Sequence, residues 1–190
     1  MPAHQASLSK STSTIIMNNL PYPEIIIDEH LTLRQVRPDE AEKLFQIIDN
    51  DREYLGKWLP FPPFTNTVQD SLNFINGTIQ KRIDGSTYGF GIVLDDELIG
   101  HTSLMHVNDD QDPEIGYWIA SSASGKGITT RAAQALTDFG FNELKMPKII
   151  IKADVNNIGS NRVAEKIGYT LVRTENDNRI GLANIWELNR

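Results

Sequence analysis

From residue 31 onward, the spacing of hydrophobic and polar positions divides the chain into recognisable elements. Residues 31–36 (LTLRQV) alternate apolar and polar side chains, the period-two pattern of a half-buried strand. Pro38, Asp39 and Glu40 then open a helix, because proline suits a first turn and carboxylates favour the positive end of the helix dipole. Ala41, Leu44, Phe45 and Ile48 recur at helical spacing and form its apolar face. Residues 54–60 (YLGKWLP) predict a short second helix, stopped by the proline-rich PFPP. Thr67 with Asp70 is a capping pair for a third helix, which runs to Ile83 and ends at Asp84-Gly85.

The period changes at Tyr88. Residues 88–94, 97–107 and 113–120 read as strands, with Asp95-Asp96 as the first turn, and such short connections imply an antiparallel meander. A loop of small residues, 121–127 (SSASGKG), leads into a helix with Ile128, Ala132, Ala135, Leu136 and Phe139 on one face. Residues 148–155 form an apolar strand, so this strand–helix–strand unit closes with parallel pairing. A helix over 160–167 ends at Gly168, and residues 169–173 and 183–188 are the last two strands. The expected class is α+β: helices first, then a meander, then one βαβ unit, around a mostly antiparallel sheet of about six to seven strands. Upstream, residues 1 to about 14 are rich in Ser, Thr and Ala and read as a flexible leader. Residues 14–27 mix β-branched residues with prolines, as an added arm or edge strand does. The expected organisation is therefore a leader or arm over 1–28 and a single domain over 29–190.

Composition narrows the function classes. The 190 residues suffice for one well-packed domain and are too few for two ordinary ones. Lysine and arginine total 18 against 25 aspartates and glutamates, a formal charge of −7, and no basic stripe suited to nucleic acid appears. No apolar stretch approaches the ~20 residues of a membrane span. The opening segment lacks a basic region followed by an apolar one, so a soluble, cytoplasmic protein is expected. Cysteine is absent, which removes thiolate nucleophiles, disulfides and zinc–cysteine sites. His101 and His106, five apart, are expected on opposite faces of a strand, so no metal pair is assigned.

The chemistry concentrates in EIGYWI (114–119) and SGKGIT (124–129). Glycines where a strand passes into a helix leave backbone N–H groups uncovered, and these bind anions with the help of the helix dipole. A Gly-x-Gly alone is often an ordinary loop. It is not a Walker A loop, since Gly127 follows Lys126 where Ser or Thr is required, and it is not a dinucleotide fingerprint, since Thr130 holds the third glycine's place.

The opening LRQVRPDEAEKLF, the segment EYLGKWLPF, EIGYWI with its following loop, and NNIGSNRVAEKIGY (156–169) occur in an order that resembles the GNAT superfamily of acyl-CoA-dependent N-acyltransferases. Within it the chain is most similar to the RimJ/RimL branch, which acetylates protein N-termini, ribosomal proteins among them. The resemblance covers roughly residues 31 to 189. It implies acetyl-CoA as cosubstrate and no metal. The acyl-CoA loop of the family, Gln/Arg-x-x-Gly-x-Gly/Ala, is carried over onto Ser124, Gly125, Lys126, Gly127, Ile128 and Thr129, with Thr130 next to it. Here Ser124 replaces the usual Gln/Arg and Thr129 the final small residue. Trp118 and Ile119 match the strand whose backbone pairs with the pantetheine arm. Asn157 and Ser160 match the family's Asn-x-x-Ser.

Many relatives carry a tyrosine at the place of Ala164, where it protonates the departing thiolate; its absence here makes Ser160 the candidate acid, although a serine there is equally suited to a helix N-cap. Glu114 is the candidate base, against a plain solvated strand-end carboxylate, and Glu175 is a weaker one. With no cysteine, transfer proceeds directly from thioester to amine. Trp58 and Phe61 are candidates for an acceptor groove, or aromatic anchors for a proline-rich loop. The expected acceptor is a primary amine, a protein N-terminus first. A small-amine acetyltransferase and a non-catalytic CoA-binding sensor remain as alternatives, and a homodimer is compatible with the branch.

Overall fold

The computed structural model describes residues 14–16 and 24–190. The expected leader falls almost wholly outside them. Nine strands form one sheet in the order β1-β2-β3-β4-β5-β6-β7-β9-β8. They are β1 (Thr14–Ile16), β2 (Glu24–Ile26), β3 (Leu31–Arg34), β4 (Tyr88–Leu94), β5 (Glu97–Met105), β6 (Glu114–Ile119), β7 (Lys148–Asp154), β8 (Thr170–Asp177) and β9 (Gly181–Asn189). Five helices accompany them: α1 (Ala41–Asn50), α2 (Arg52–Gly56), α3 (Val68–Ile83), α4 (Ile128–Asn142) and α5 (Ile158–Lys166). The α+β class and its βαβ unit are as expected, whereas the strand count exceeds the six to seven expected. The two additional strands are β1 and β2: β2 pairs antiparallel with the outer edge of β3, and β1 pairs antiparallel with β2. They meet the edge-strand reading of residues 14–27, the open backbone of β3 making short isoleucine segments into strands.

Every neighbouring pair is antiparallel except β6 and β7. The sheet's two faces carry different helices. Ile92, Leu104, Ile115 and Ile119 point to the side covered by α4 and α5, with Phe139 and Ala132 at its centre. Val93 and Leu98 point to the other side, where Val36, Leu44, Ile48, Leu55 and Ile75 bring in α1, α2 and α3. Strand alternation thus feeds two cores from one sheet. Phe45, expected on the buried face of α1, is only partly buried.

Two local differences concern the site. The second helix begins at Arg52 rather than Tyr54, directly after α1. The helix expected from residue 160 begins at Ile158, and its N-cap is Asn157, whose side-chain oxygen accepts the N–H of Ser160 at 3.1 Å. Ser160 is therefore not the cap, so its hydroxyl is not spent on the helix terminus.

Candidate active site

One parallel strand pair creates the site. β6 pairs with β7 at a single register point, Glu114 with Ile150, while β5 pairs with β6 along all six residues and β9 with β7 along all seven. Beyond Glu114 the two strands part, and the outward backbone groups of residues 115–119 have no strand partner among the described residues. A cavity of about 730 Å³ enters this split. It runs from the loop before α4 across β6 to the face beneath α2 and α3.

At one end lie Ser124, Gly125, Gly127, Ile128, Thr129 and Thr130. Gly125 and Gly127 have φ of +77° and +75°, conformations that a Cβ strongly disfavours, and nothing lies within 4 Å of where either Cβ would stand. Gly127 is the N-cap of the 15-residue α4 and supplies no side-chain cap. The first-turn amides of α4 therefore face an open cradle with the positive helix end behind them. Arg162 and Lys166, one turn apart on α5, line the same cavity, as does Asn157. Lys126, carried over as part of the acyl-CoA loop, donates its ammonium to the carbonyl of Ser122 at 3.0 Å and does not line the cavity. Such a cradle fits a diphosphate carried on a long arm that can take up the unpaired backbone of Trp118 and Ile119.

The loop is clamped from the opposite face of the sheet. The Asp51 carboxylate accepts the backbone N–H and hydroxyl of Ser121 at 2.6 and 2.7 Å, and the Tyr54 hydroxyl donates to Ser124 Oγ at 3.1 Å. Trp58 and Phe61 both line the cavity, and the Phe61 ring lies 5.8 Å from that of Trp118. Lys57 sits over the Trp58 ring at 4.8 Å.

At the far end, alternation puts Glu114, Gly116 and Trp118 of β6 beside Met105, Ser103 and His101 of β5. Glu114 is not the solvated strand-end carboxylate of the alternative reading. It is 6% exposed, and both its oxygens accept from Nη2 of Arg179 at 2.9 Å, with Lys152 Nζ at 3.7 Å. Glu175 stands elsewhere, on an exposed strand, paired with Arg173 at 2.6 Å.

Residues 30–170 match the family profile described as the acetyltransferase (GNAT) domain. The chain belongs to the GNAT acetyltransferase family. Among relatives of this GNAT chain, the ribosomal-protein-serine acetyltransferase of Escherichia coli (strain K12) is 31% identical over 148 residues, covering 77% of this chain and 83% of that protein. Two solved structures share the GNAT fold. The microcin C7 self-immunity acetyltransferase MccE, in complex with acetyl-CoA and AMP, superposes with a TM-score of 0.80 at 24% identity, covering 87% of this chain and 96% of that one. RimL, a ribosomal L7/L12 alpha-N-protein acetyltransferase in complex with coenzyme A, gives 0.79 at 22% identity, covering 85% and 95%.

Several residues of this GNAT acetyltransferase site escaped the sequence reading. Tyr117 places its hydroxyl 3.0 Å from Ser160 Oγ and 3.3 Å from the Ser160 carbonyl, to which it donates. Burial pushes the phenol up to about 12, partly offset by the Ser160 hydrogen bond, so Tyr117 stays protonated across the working range. His101 is buried with its Nε2 unpartnered, and burial lowers its pKa to about 4, so the ring is neutral at pH 7. The Phe74 ring meets it edge-on at 5.1 Å. No cluster able to hold a metal ion occurs among the described residues. Only Tyr117 carried a usable signal, as the central aromatic of EIGYWI; Lys152 and Arg179 are ordinary surface-type cations until the chain folds.

Proposed function

We propose that this protein is an acetyl-CoA-dependent N-terminal acetyltransferase of the ribosomal-protein type, working by direct transfer to a primary amine. One observation carries the reading. A single cavity joins an uncapped helix N-terminus behind two left-handed glycines to a buried carboxylate and a serine–tyrosine hydroxyl pair. Relatives named as ribosomal-protein acetyltransferases support the acceptor class.

Bound acetyl-CoA supplies a thioester acyl group already activated for attack. Gly125, Gly127 and the first turn of α4 hold the diphosphate through backbone N–H groups, and Arg162 and Lys166 supply charge nearby. The open backbone of Trp118 and Ile119 takes the extended arm as an added strand and polarises the carbonyl. Glu114 takes one proton from the acceptor's ammonium, and the neutral amine that results attacks the carbonyl. Ser160 donates to the departing sulfur, and Tyr117 fixes the rotamer of Ser160 rather than ionising itself. The C–N bond forms as the C–S bond breaks; the first acceptor proton goes to Glu114, the second leaves the nitrogen and restores the proton that Ser160 has given to the sulfur, and the sulfur leaves as a thiol. No acyl-enzyme intermediate through a thiol can form, because the chain has no cysteine.

The test is calorimetry with acetyl-CoA, CoA and NADH, followed by thiol release with a serine-initiated peptide and with spermidine. Acetyl-CoA binding with faster release on the peptide is expected. Preference for spermidine would move the acceptor to small amines, binding with no turnover would leave a CoA-binding sensor, and no binding would remove the enzyme reading.

A further inference from the structure

The contact between Arg179 and Glu114 has a geometry that sets it apart from the other buried arginine pair of the molecule. Arg34 meets Glu40 as a fork: Nη1 and Nη2 each take one carboxylate oxygen, at 2.7 and 2.6 Å. Arg179 instead presents one nitrogen, Nη2, to both oxygens of Glu114 at 2.9 Å. A single N–H-bearing nitrogen bridging a carboxylate is the contact that a primary ammonium makes, and it forgoes the second bond that makes arginine forks strong. The two partners are also unequally held. The Glu114 side chain is 7% exposed, whereas that of Arg179 is 44% exposed. Arg179 lies in the turn between β8 and β9, and Gly181, which opens β9, has φ of +81°.

The turn and the carboxylate are both provided for when they separate. The backbone N–H of Arg179 donates to Asp177 at 2.8 Å, so the base of the turn stays anchored if the guanidinium leaves. Lys152 bridges Asp177 at 3.2 Å and Glu114 at 3.7 Å, so the buried carboxylate keeps a cation nearby. A buried carboxylate with no counter-charge would resist the exchange.

We propose that Arg179 occupies the acceptor's ammonium seat on Glu114 in the free enzyme and is displaced by the incoming amine. Arg179 is then a gate on acceptor binding. With the guanidinium in place both oxygens of Glu114 already accept from Arg179, and the arriving ammonium both takes over that contact and brings the proton to be taken. The inference rests on the reading of Glu114 as the group that meets the amine.

The experiment titrates a serine-initiated hexapeptide, and its N-acetylated twin, into CoA-saturated wild type and Arg179→Ala by calorimetry. Arg179→Gln serves as the second variant, keeping stem and hydrogen bonding without the charge. Free CoA carries no acyl group, so affinity is read without turnover. Removing the half-exposed guanidinium, which pairs with Glu114 at 2.9 Å and with Asp177 at 3.4 Å, should tighten the free-amine peptide by about fivefold and leave the acetylated twin unchanged. Either variant showing that difference supports the gate. Unchanged or weaker binding of the free amine, or an equal change in both peptides, overturns it. Thiol release from acetyl-CoA by wild type on the same peptide separates the failures: release with equal affinities in all proteins removes the gate alone, while no binding and no release on any amine removes the acceptor reading as well.

Discussion

Individual side chains in this site are defined by what surrounds them. His101 is a neutral imidazole because burial disfavours its charged form, down to a pKa of about 4. In the unfolded chain the same ring titrates near its ordinary 6.5, so below that pH the unfolded state takes up a proton that the folded state refuses. Stability from His101 is complete above about 6.5 and falls as the pH drops towards 4, by up to about 3 kcal/mol from the width of that window. From pH 7 to 4 the melting temperature of wild type should fall more steeply than that of His101→Phe; parallel curves would mean that the ring keeps water or a partner. Asp177 shows the opposite sign. Burial opposes its ionisation, yet bonds from the Arg179 backbone and from the Lys152 and Arg179 side chains outweigh it and bring the carboxyl to about 2. Its stabilisation is present above about pH 4 and is lost as the pH falls towards 2. For Ser160, whose hydroxyl is free of capping duty, Ser160→Ala should lower kcat by about ten- to a hundredfold, with Tyr117→Phe a milder loss of the same kind. An unaffected rate in Ser160→Ala would leave the serine as packing.

At the level of elements, the decisive feature is how α4 begins. Its N-cap is a left-handed glycine with no side chain to satisfy the first amides, so a ligand anion is the natural partner for them. Gly125→Val places a β-branched side chain at φ +77°, where L residues are strained, and aims its bulk into the empty cradle. Acetyl-CoA affinity should fall by about a hundredfold or more, a loss of two decades or about 2.7 kcal/mol, with a folded far-UV spectrum retained. Wild-type affinity would remove the cradle from the binding site. By contrast, α3 carries a complete local cap: Asp70 N–H donates to Thr67 Oγ1 at 3.2 Å and the Asp70 carboxylate accepts the Thr67 N–H at 2.8 Å. Thr67→Ala should therefore cost about 1 kcal/mol in denaturant unfolding and leave CoA affinity alone. The two helix starts differ because one is closed by its own sequence and the other is kept open.

Over the whole molecule, charge is distributed against its average. The chain carries a formal charge of −7, yet the cavity is lined by five lysine and arginine side chains and only two carboxylates. An acidic surface around a basic cleft focuses a polyanionic ligand on one place. Raising KCl from about 50 to 500 mM should weaken acetyl-CoA by roughly three- to tenfold, and Arg162→Ala with Lys166→Ala should flatten that dependence. Salt-independent binding would mean that neutral backbone donors hold the phosphates alone. The split between β6 and β7 is a property of the same scale: β5 and β9 hold those two strands along their outer edges while a single register point joins them, so the sheet has an opening at its centre and not at an edge.

Periodicity, turn residues and motif order by themselves determined the α+β class, the meander, the βαβ unit and the glycine loop before α4, because each depends on local spacing or on backbone freedom at one position. The resemblance to the GNAT family, not local spacing, implied that Glu114, Trp118 and Ser160 belong to one site. Only the tertiary structure decided what those residues meet. Arg179 reaches Glu114 across 65 positions, Tyr117 reaches Ser160 across 43, and Tyr54 reaches Ser124 across 70. Contacts of that span depend on the crossing of strands and on burial, where a neighbour's charge and the loss of water set the state of a side chain. No local pattern in the sequence encodes them.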